Sequence, residues 1–215
     1  MSLIDLNLPI DRARPPADVR AFLREADRRI RRFQRDSRIP GFVPSDFENV
    51  YEVLRTLTAT DWTVGNLFCE WGSGFGVASC LAAMLGFDAC GIEIEGELVD
   101  AARQLADDFS LPVEFVRGSF IPKGGEVLSA VGDDFAWLTT QATNTHEELD
   151  LDMHDFGVIF AYPWPDEERL TGELFDCYGG AGAVLMTYHG SEDCRLRQKT
   201  RTTRQTPASP RRKQG

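Results

Sequence analysis

The stretch LFCEWGSGFGVASCLAAMLGFDACGIE, residues 67–93, decides the fold of this 215-residue chain. An apolar run comes first, Gly72, Gly74 and Gly76 follow at alternate positions, and a helical segment leads to a second apolar run that ends at Glu93. This order is typical of a strand, a tight turn, a helix and a second, parallel strand. Glycines let the backbone turn sharply and approach a ligand closely, and the first N–H groups of the helix point to the same place.

The carboxylate that ends the second apolar run has an informative spacing from the glycine loop. Glu93 lies 21 residues after Gly72, where a carboxylate can accept both hydroxyls of a ribose. The loop departs from the dinucleotide fingerprint G-x-G-x-x-G, because its third glycine is Gly76 and the next residue is Val77. The loop, the helix and the acid together predict a site for a nucleoside-bearing cofactor.

Composition places the chain among globular proteins with one sizeable core. Hydrophobic residues make up 42% of it, and no apolar run reaches the roughly 18 residues that a membrane-spanning helix needs. The first sixteen residues include acids and lack the apolar core of a signal peptide. The five cysteines form no C-x-x-C pair and no zinc spacing, which indicates reduced thiols and no metal site. We therefore expect a cytoplasmic protein with no membrane partner.

Charge divides the chain into three predicted regions. Residues 1–38 carry a net charge of +4 and include an arginine-rich amphipathic helix predicted over 17–36. Residues 39–194 carry −23 and form the predicted main domain, whereas residues 195–215 carry +8 and are predicted to be a disordered basic tail. The acidic main domain argues against broad nucleic-acid binding, which leaves the two basic ends as the place for any such contact.

Strands and helices alternate through the main domain. Apolar runs predict five strands, at residues 66–69, 89–94, 113–116, 157–161 and 183–188, and residues 194–198 are a candidate for one further short strand. This alternation predicts an α/β fold, namely a Rossmann-like, doubly wound, mainly parallel sheet of five to six strands with helices on both faces.

A long connection, residues 120–155, separates the third and fourth predicted strands. Two short helices are predicted within it, at 126–131 and 135–140. His146 and His154 lie in an acidic stretch but have no helical or tight-turn spacing, so we predict a solvated loop there and no metal site. The alternative is that this connection closes over a ligand cleft as a substrate lid.

Four short motifs resemble those of class I S-adenosylmethionine-dependent methyltransferases. EWGSGFG at 70–76 resembles the first motif, an acid followed by G-x-G-x-G, and GIE at 91–93 resembles the second. FVRGSF at 115–120 resembles the third-strand motif, and FAYPWP at 160–165 occupies the place of the fourth. The resemblance covers about residues 40–190 and implies a small enzyme of the bacterial type that uses S-adenosyl-L-methionine.

The resemblance also assigns part of the cofactor site to the first motif. Glu70 would contact the amino group of the cofactor's methionine portion, directly or through water. Gly72, Ser73 and Gly74 would let that portion lie against the backbone. Ahead of this motif, FVPS at 42–45 resembles a segment of bacterial methyltransferases related to a mitochondrial protein-lysine methyltransferase group, in which it closes over the cofactor.

The second and third motifs would hold the nucleoside. The resemblance implies that Glu93 binds the ribose hydroxyls and that Ile94 packs on the adenine. Ser119 stands where many members of the family have an acid that contacts the adenine amine. A structural alternative for Ser119 is an ordinary turn residue.

The fourth motif predicts the place of the methyl acceptor. Tyr162 and Trp164 would form an aromatic wall that orients a substrate beside the methyl group, and aromatic faces favour a sulfonium cation. Enzymes that methylate nucleobase amines have Asp or Asn followed by Pro-Pro-aromatic here, so Tyr-Pro-Trp-Pro disfavours DNA amine methylation. The structural alternative is that both aromatic residues only pack at the strand end. No residue stands out as a general base; His189 is one candidate, and the structural alternative is an ordinary loop residue.

The sequence therefore predicts a methyltransferase whose acceptor is protein lysine, RNA or a small molecule, in that order of preference. A non-catalytic binding module of the same fold and a nucleotide-dependent oxidoreductase are the alternatives. Members of the family usually have two more strands after the fifth, but only 27 residues follow Tyr188. We therefore expect the sheet to lack its terminal hairpin. Either the N-terminal helix or a second subunit would cover the open edge, and the second case predicts a homodimer.

Overall fold

The fold is known from a computed structural model, which describes residues 2–10, 12–37, 39, 41–125, 145–190 and 194–200. The strands are β1 (Ser2–Asp5), β2 (Leu67–Trp71), β3 (Asp88–Glu93), β4 (Val113–Arg117), β5 (Val158–Ala161), β6 (Val184–Tyr188) and β7 (Cys194–Thr200). The helices are α1 (Ala17–Asp36), α2 (Phe47–Thr58), α3 (Val77–Met84), α4 (Gly96–Asp108), α5 (Thr145–Leu149) and α6 (Glu168–Tyr178). Short 3-10 turns cover Met153–Asp155 and Pro165–Glu167.

The described strands form one sheet in the order β1-β7-β6-β5-β2-β3-β4. Strands β2 to β6 are mutually parallel, whereas β7 runs antiparallel to β6 and to β1. Consecutive parallel strands are joined through helices, which confirms the predicted Rossmann-like, mainly parallel sheet. Because β2 has β3 on one side and β5 on the other, the strand order reverses at β2.

Each face of the sheet is covered by its own layer of helices. Alternate residues of β2 belong to different apolar clusters, with Phe68 in one and Cys69 and Trp71 in the other. Helices α1 to α4 contribute to the cluster that contains Phe68. Helix α6 covers the opposite face through Leu170, Leu174 and Phe175. The structure therefore confirms the prediction of helices on both faces.

Helix boundaries follow the sequence closely, with one correction at a cap. The amphipathic helix occupies Ala17–Asp36 as predicted. The second helix begins at Phe47, and its N-cap is Asp46, whose carboxylate accepts the N–H groups of Glu48 and Asn49 at 3.1 and 3.2 Å. The S-x-x-E spacing of Ser45 and Glu48 is typical of a capping box and predicts Ser45 as the cap, but Ser45 lies one residue too early, and Asp is as good an N-cap residue as Ser.

The predicted count of five to six strands is wrong, and the sheet edge that was expected to be open is paired. The structure has seven described strands, because β7 pairs with β6 and the N-terminal β1 pairs with β7. Strand β7 confirms the candidate strand at residues 194–198 and extends it to Thr200, so the disordered tail predicted from residue 195 begins too early. Pairing along both of its edges stabilises this polar strand without a run of apolar side chains.

The predicted boundaries at residues 38 and 194 do not separate structural units. Helix α1 buries Val19, Phe22, Ala26 and Ile30 in the same core as the main domain. The helices predicted at 126–131 and 135–140 lie outside the described residues, as does the rest of the tail after Thr200. No described helix combines the length and apolar character that crossing a membrane requires.

Candidate functional site

A cavity opens at the carboxyl ends of the parallel strands, at the point where the strand order reverses. In open α/β sheets this is where ligands bind. The nine residues predicted for the site all line it: Glu70, Gly72, Ser73, Gly74, Glu93, Ile94, Ser119, Tyr162 and Trp164. Residues 41–45, Trp71, Phe120 and Glu167 complete much of the wall. The structure therefore brings together the predicted cofactor residues and the predicted acceptor wall.

The glycine loop between β2 and α3 forms the floor of the cavity. Gly72, Gly74 and Gly76 have φ values of 68°, 52° and 65°, a left-handed conformation that side chains rarely adopt. The N–H groups of Gly72 and Ser73 donate to the carbonyl of Ile92, at 2.9 and 3.0 Å. These bonds tie the loop to the end of β3, so the loop has a fixed shape before any ligand binds.

Glu93 is fastened to that loop by its carboxylate. One oxygen accepts the Gly74 N–H at 2.8 Å, and the other accepts the N–H groups of Ile94 and Glu95 at 2.8 and 3.0 Å. The side chain is only 7% exposed, and burial raises its pKa although the backbone donors oppose the shift. A carboxylate offers about four acceptor positions, so Glu93 keeps capacity for a ligand hydroxyl.

Glu70 has a structural role that the sequence did not predict. Its carboxylate accepts the Ser79 N–H at 2.8 Å and the Ser79 hydroxyl at 2.7 Å. Ser79 lies in the first turn of α3, and the N-cap of that helix is Gly76, which has no side chain to cap it. Glu70 therefore caps α3 from the preceding strand. Burial, with a smaller contribution from the charge of Glu93, raises the pKa of Glu70 to about 8.

Two buried polar atoms in the cavity wall lack a partner in the described part of the chain. These are the Ser73 hydroxyl oxygen and the Trp71 indole nitrogen. Both residues are more than nine-tenths buried, and the Trp71 ring stacks on Phe120 with centroids 4.9 Å apart and planes 4° apart. Buried polar groups are nearly always hydrogen-bonded, so these atoms are suited to contacts with a bound ligand.

Residues 41–45 cover the glycine loop from the outer side. Phe42 stacks on Phe75 of the loop, with centroids 5.6 Å apart, and Phe33 of α1 packs edge-on against Phe75 at 5.2 Å. A Cβ atom on Gly74 would lie 2.7 Å from the Phe42 ring. The close contact between the loop and this segment therefore depends on a glycine at position 74.

The predicted aromatic wall follows β5. Tyr162 and Trp164 are 36% and 38% exposed, and Tyr162 packs edge-on against Tyr188 with centroids 4.9 Å apart. Ser119, on the other side, is buried, and its hydroxyl accepts the Ile121 N–H at 3.2 Å, a contact typical of a turn. It also lines the cavity, so both roles considered for Ser119 are compatible with its position.

Glu167 lines the cavity, although no motif in the sequence predicted it. It ends the 3-10 turn that follows Trp164, is 8% exposed, and accepts the Trp164 N–H at 3.4 Å. Burial raises the pKa of its carboxyl group. The only signal in the sequence was Pro165, a residue that favours the first position of such a turn and so places an acid three residues after Trp164.

His189 is not placed to act as the general base in this structure. Its Nδ1 lies 3.0 Å from Glu168 Oε1, and its Nε2 lies 2.8 Å from the Thr187 hydroxyl. His189 is also absent from the described lining of the cavity. Both ring nitrogens are therefore engaged elsewhere.

The acidic stretch at residues 145–155 contributes no residue to the described lining of this cavity. His146 has its two ring nitrogens 3.3 Å from the carbonyl oxygens of Leu151 and Phe120. His154 lies in an exposed group with Asp152 and Asp155, whose potential ligand atoms are within 4.8 Å of one another. Exposed clusters of this composition are common without an ion. Both histidines line a second cavity, but His146 is not among the three residues of this group.

No protein-family model and no curated protein matches this chain. Among solved structures it is similar to an RNA methyltransferase from Salinibacter ruber in complex with S-adenosyl-L-homocysteine. The sequences are 19% identical, the match covers 74% of this chain and 93% of that chain, and the TM-score is 0.49. It is also similar to a methyltransferase from Geobacter sulfurreducens, at 15% identity, 87% and 92% coverage and a TM-score of 0.48. An O-methyltransferase from Bacillus cereus in complex with SAH matches at 14% identity, 81% and 66% coverage and a TM-score of 0.48. At this level of similarity the comparisons assign no activity, so the case for function depends on the cavity.

Proposed function

We propose that this chain is an S-adenosylmethionine-dependent methyltransferase of class I and that its methyl acceptor is a protein lysine. One observation carries the proposal: Glu93 is hydrogen-bonded to the glycine loop in a cavity that also contains the exposed aromatic pair Tyr162 and Trp164. A carboxylate for ribose, a glycine floor and an aromatic wall are the groups that a nucleoside sulfonium requires.

The residues around the loop fit the parts of this cofactor. Glu93 would accept a ribose hydroxyl at its remaining acceptor position, and the buried carboxyl group of Glu70 suits its ammonium group. The Trp71 indole N–H is a buried donor suited to its carboxylate, and the Ser73 hydroxyl is a second such group. Ile94 and Ser119 line the part of the cavity that would receive adenine. The two orphaned polar atoms are the strongest sign that a polar ligand completes this site.

The bound cofactor would supply a methyl group already activated on a positively charged sulfur. The protein then has to place the acceptor in line and exclude water, and it needs no covalent intermediate. Phe42 and Phe75 cover the loop side, and Tyr162 and Trp164 wall the opposite side. The buried carboxylate of Glu93, which three backbone N–H groups stabilise, gives the cavity negative charge that favours a sulfonium over its neutral thioether product.

Two features favour protein lysine as the acceptor: the net charge of the main domain and the exposed apolar side chains around the cavity opening. Residues 39–194 carry a net charge of −23, which opposes the approach of a polyanionic RNA and favours a basic protein. Val43, Tyr162 and Trp164 are exposed apolar or aromatic residues around the opening. Such a rim suits the methylene stem of a lysine side chain.

Isothermal titration with S-adenosylmethionine and S-adenosylhomocysteine, and with NAD as the negative control, tests the proposal. We expect micromolar binding of the first two ligands and none of NAD. Glu93→Ala should weaken binding at least tenfold, because it removes the proposed ribose contact and releases Gly74. Glu114→Ala, an exposed residue of β4 outside the described cavity lining, is the matched control and should leave binding unchanged. Absence of binding to the wild-type chain would contradict the proposal and favour a non-catalytic module.

A further inference from the structure

We propose that Glu167 receives the amino group of the methyl acceptor and that Tyr162 and Trp164 hold the apolar stem that carries it. The proposal rests on the methyltransferase function, since it concerns the second ligand of the same cavity. It makes the site selective for a primary amine on a hydrocarbon chain and gives the reaction the proton acceptor that His189 does not provide.

The hydrogen bonds of the three buried carboxylates in the cavity separate their roles. Glu70 accepts two bonds from Ser79, and Glu93 accepts three backbone N–H bonds. Among the described residues, the carboxylate of Glu167 accepts a single hydrogen bond, from the Trp164 N–H, and that bond is long at 3.4 Å. Glu167 is thus the carboxylate with the most unused acceptor capacity, and a buried carboxylate in that condition favours a cationic partner.

Position along the sheet separates Glu167 from the cofactor residues. Glu93 is the last residue of β3, and Glu70 is the last but one of β2. Glu167 instead follows β5, on the other side of the strand reversal. Its 3-10 turn begins immediately after Trp164, so the carboxylate and the aromatic wall belong to one short segment. The loop side of the cavity and the β5 side therefore suit two different ligands, the methyl donor and its acceptor.

The chemistry of this segment fits an alkylammonium group. Exposed aromatic faces attract cations and pack against methylene groups, and a buried carboxylate beside them pairs with the charged head. A phosphate would meet a buried negative charge here, which opposes an RNA backbone. A neutral alcohol would gain one hydrogen bond but neither the ion pair nor the cation–π attraction.

Methyl transfer to an alkylammonium also requires a proton acceptor beside its nitrogen atom. An alkylammonium must first lose a proton, which passes to the Glu167 carboxylate and from it to water. The nitrogen lone pair then attacks the methyl carbon, the N–C bond forms, and the C–S bond breaks with its electron pair remaining on sulfur as a thioether. Burial raises the pKa of Glu167, so this carboxylate accepts a proton more readily than a solvated acid does.

Binding of n-butylamine, an analogue of the lysine side chain, to the chain loaded with S-adenosylhomocysteine tests the proposal, and n-butanol is the comparison. We expect the wild type to bind the amine in preference to the alcohol. Glu167→Gln should weaken amine binding by roughly tenfold or more, because a charged hydrogen-bond partner is lost. Asp166→Asn, an exposed neighbour, should change it by less than about twofold. The readout is the dissociation constant from titration calorimetry at several pH values, and the preference of the wild type for the amine should increase as pH rises and Glu167 ionises.

The outcomes separate this inference from the methyltransferase proposal. If Glu167→Gln binds S-adenosylhomocysteine like the wild type but keeps full amine affinity, the role of Glu167 is overturned and the cofactor assignment stands. If the wild type fails to bind S-adenosylhomocysteine, both proposals are overturned. Should Glu167→Gln fail to fold, Trp164→Leu tests the same pocket, because it removes the aromatic face from a partly exposed position. Unchanged amine affinity in Trp164→Leu would also contradict the proposal.

Discussion

Three buried glutamates lie in one cavity, and this concentration of acid determines its electrostatics. Glu70, Glu93 and Glu167 are 4%, 7% and 8% exposed, and burial raises the pKa of each. Keeping carboxylates out of water costs free energy unless donors or cations compensate it. Backbone N–H groups offset this cost for Glu93, and Ser79 offsets it for Glu70. A cationic ligand would offset the remaining cost, above all at Glu167. We therefore expect the folded chain without a ligand to become less stable as these carboxyl groups ionise.

The stability of the ligand-free chain should fall as pH rises, because of Glu70. The folded-state pKa of this group is about 8, against an ordinary value of 4.5, so the folded state binds more protons than the unfolded state between these values. The contribution of Glu70 is most favourable below pH 4.5 and is lost as pH approaches 8, with a slope of up to about 1.4 kcal/mol per pH unit. Urea unfolding of the wild type and Glu70→Gln at pH 5.5, 7 and 8.5 measures this. Parallel pH profiles for the two proteins would contradict it, and exposed Glu114→Gln is the control.

Two glycines of the loop should respond differently to the same substitution. The Cβ atom of Gly72→Ala would have no other atom within 4 Å. Its loss of unfolding free energy is therefore that of holding alanine in the left-handed conformation, about 1–2 kcal/mol. Gly74→Ala has the same backbone cost and in addition places its Cβ 2.7 Å from Phe42. We expect a larger loss of unfolding free energy for Gly74→Ala, partly recovered in the double variant with Phe42→Leu. Equal losses for the two single variants would show that Phe42 does not constrain the loop.

At the scale of single residues, spacing predicted the cofactor side of the cavity but not the Glu167 side. The glycine positions and Glu93 follow from a local pattern of strand, turn and helix, so their convergence was predictable. Glu167 is buried by a 3-10 turn, and the link between Glu70 and Ser79 joins a strand to a helix nine residues later. Neither contact leaves a periodic signal in the sequence.

Among the helices, the periodic pattern predicted where α1 lies along the chain but not what it supports. The spacing of its apolar residues fixes the buried face. It contacts the wall of the site through Phe33, which packs against Phe75 and Phe42. A helix that looked like an N-terminal addition is thus part of the wall around the glycine loop.

Phe33→Ala should therefore affect both stability and ligand binding. We expect a loss smaller than the roughly 3–5 kcal/mol typical of a fully buried phenylalanine, because Phe33 is only partly buried. Binding of S-adenosylmethionine should weaken as well, since residues 42–45 lose their support over the loop. Thermal unfolding and calorimetric titration measure the two effects. Arg32→Ala, on the solvent-exposed side of the same helix, should change neither. If Phe33→Ala behaved like this control, α1 would have no part in the site.

At the scale of the whole molecule, the first and the last described strands are neighbours in the sheet. Ser2–Asp5 pairs with Cys194–Thr200, residue 2 opposite residue 200, and Lys199 donates to the Gly179 carbonyl at 2.7 Å, at the end of α6. Pairing between residues almost 200 positions apart is not encoded in any local pattern, so a strand at 194–198 was predicted but its partner β1 was not. The open edge from which we predicted a homodimer is thus occupied by β7 and β1, and the homodimer stays a prediction.

The edge strand β1 should protect the chain from association through β7. Ile4→Pro disrupts strand pairing opposite Gln198 without removing a buried side chain, because Ile4 is 43% exposed. We expect a lower melting temperature and, in light scattering, association that increases with protein concentration, since the N–H and C=O groups of β7 become available to another copy. Ile4→Thr keeps a β-branched residue at the same position and should retain the wild-type melting temperature and state of association. If the proline variant matched the threonine variant in both measurements, β1 would contribute nothing to the sheet, and the edge of the molecule would be β7 alone.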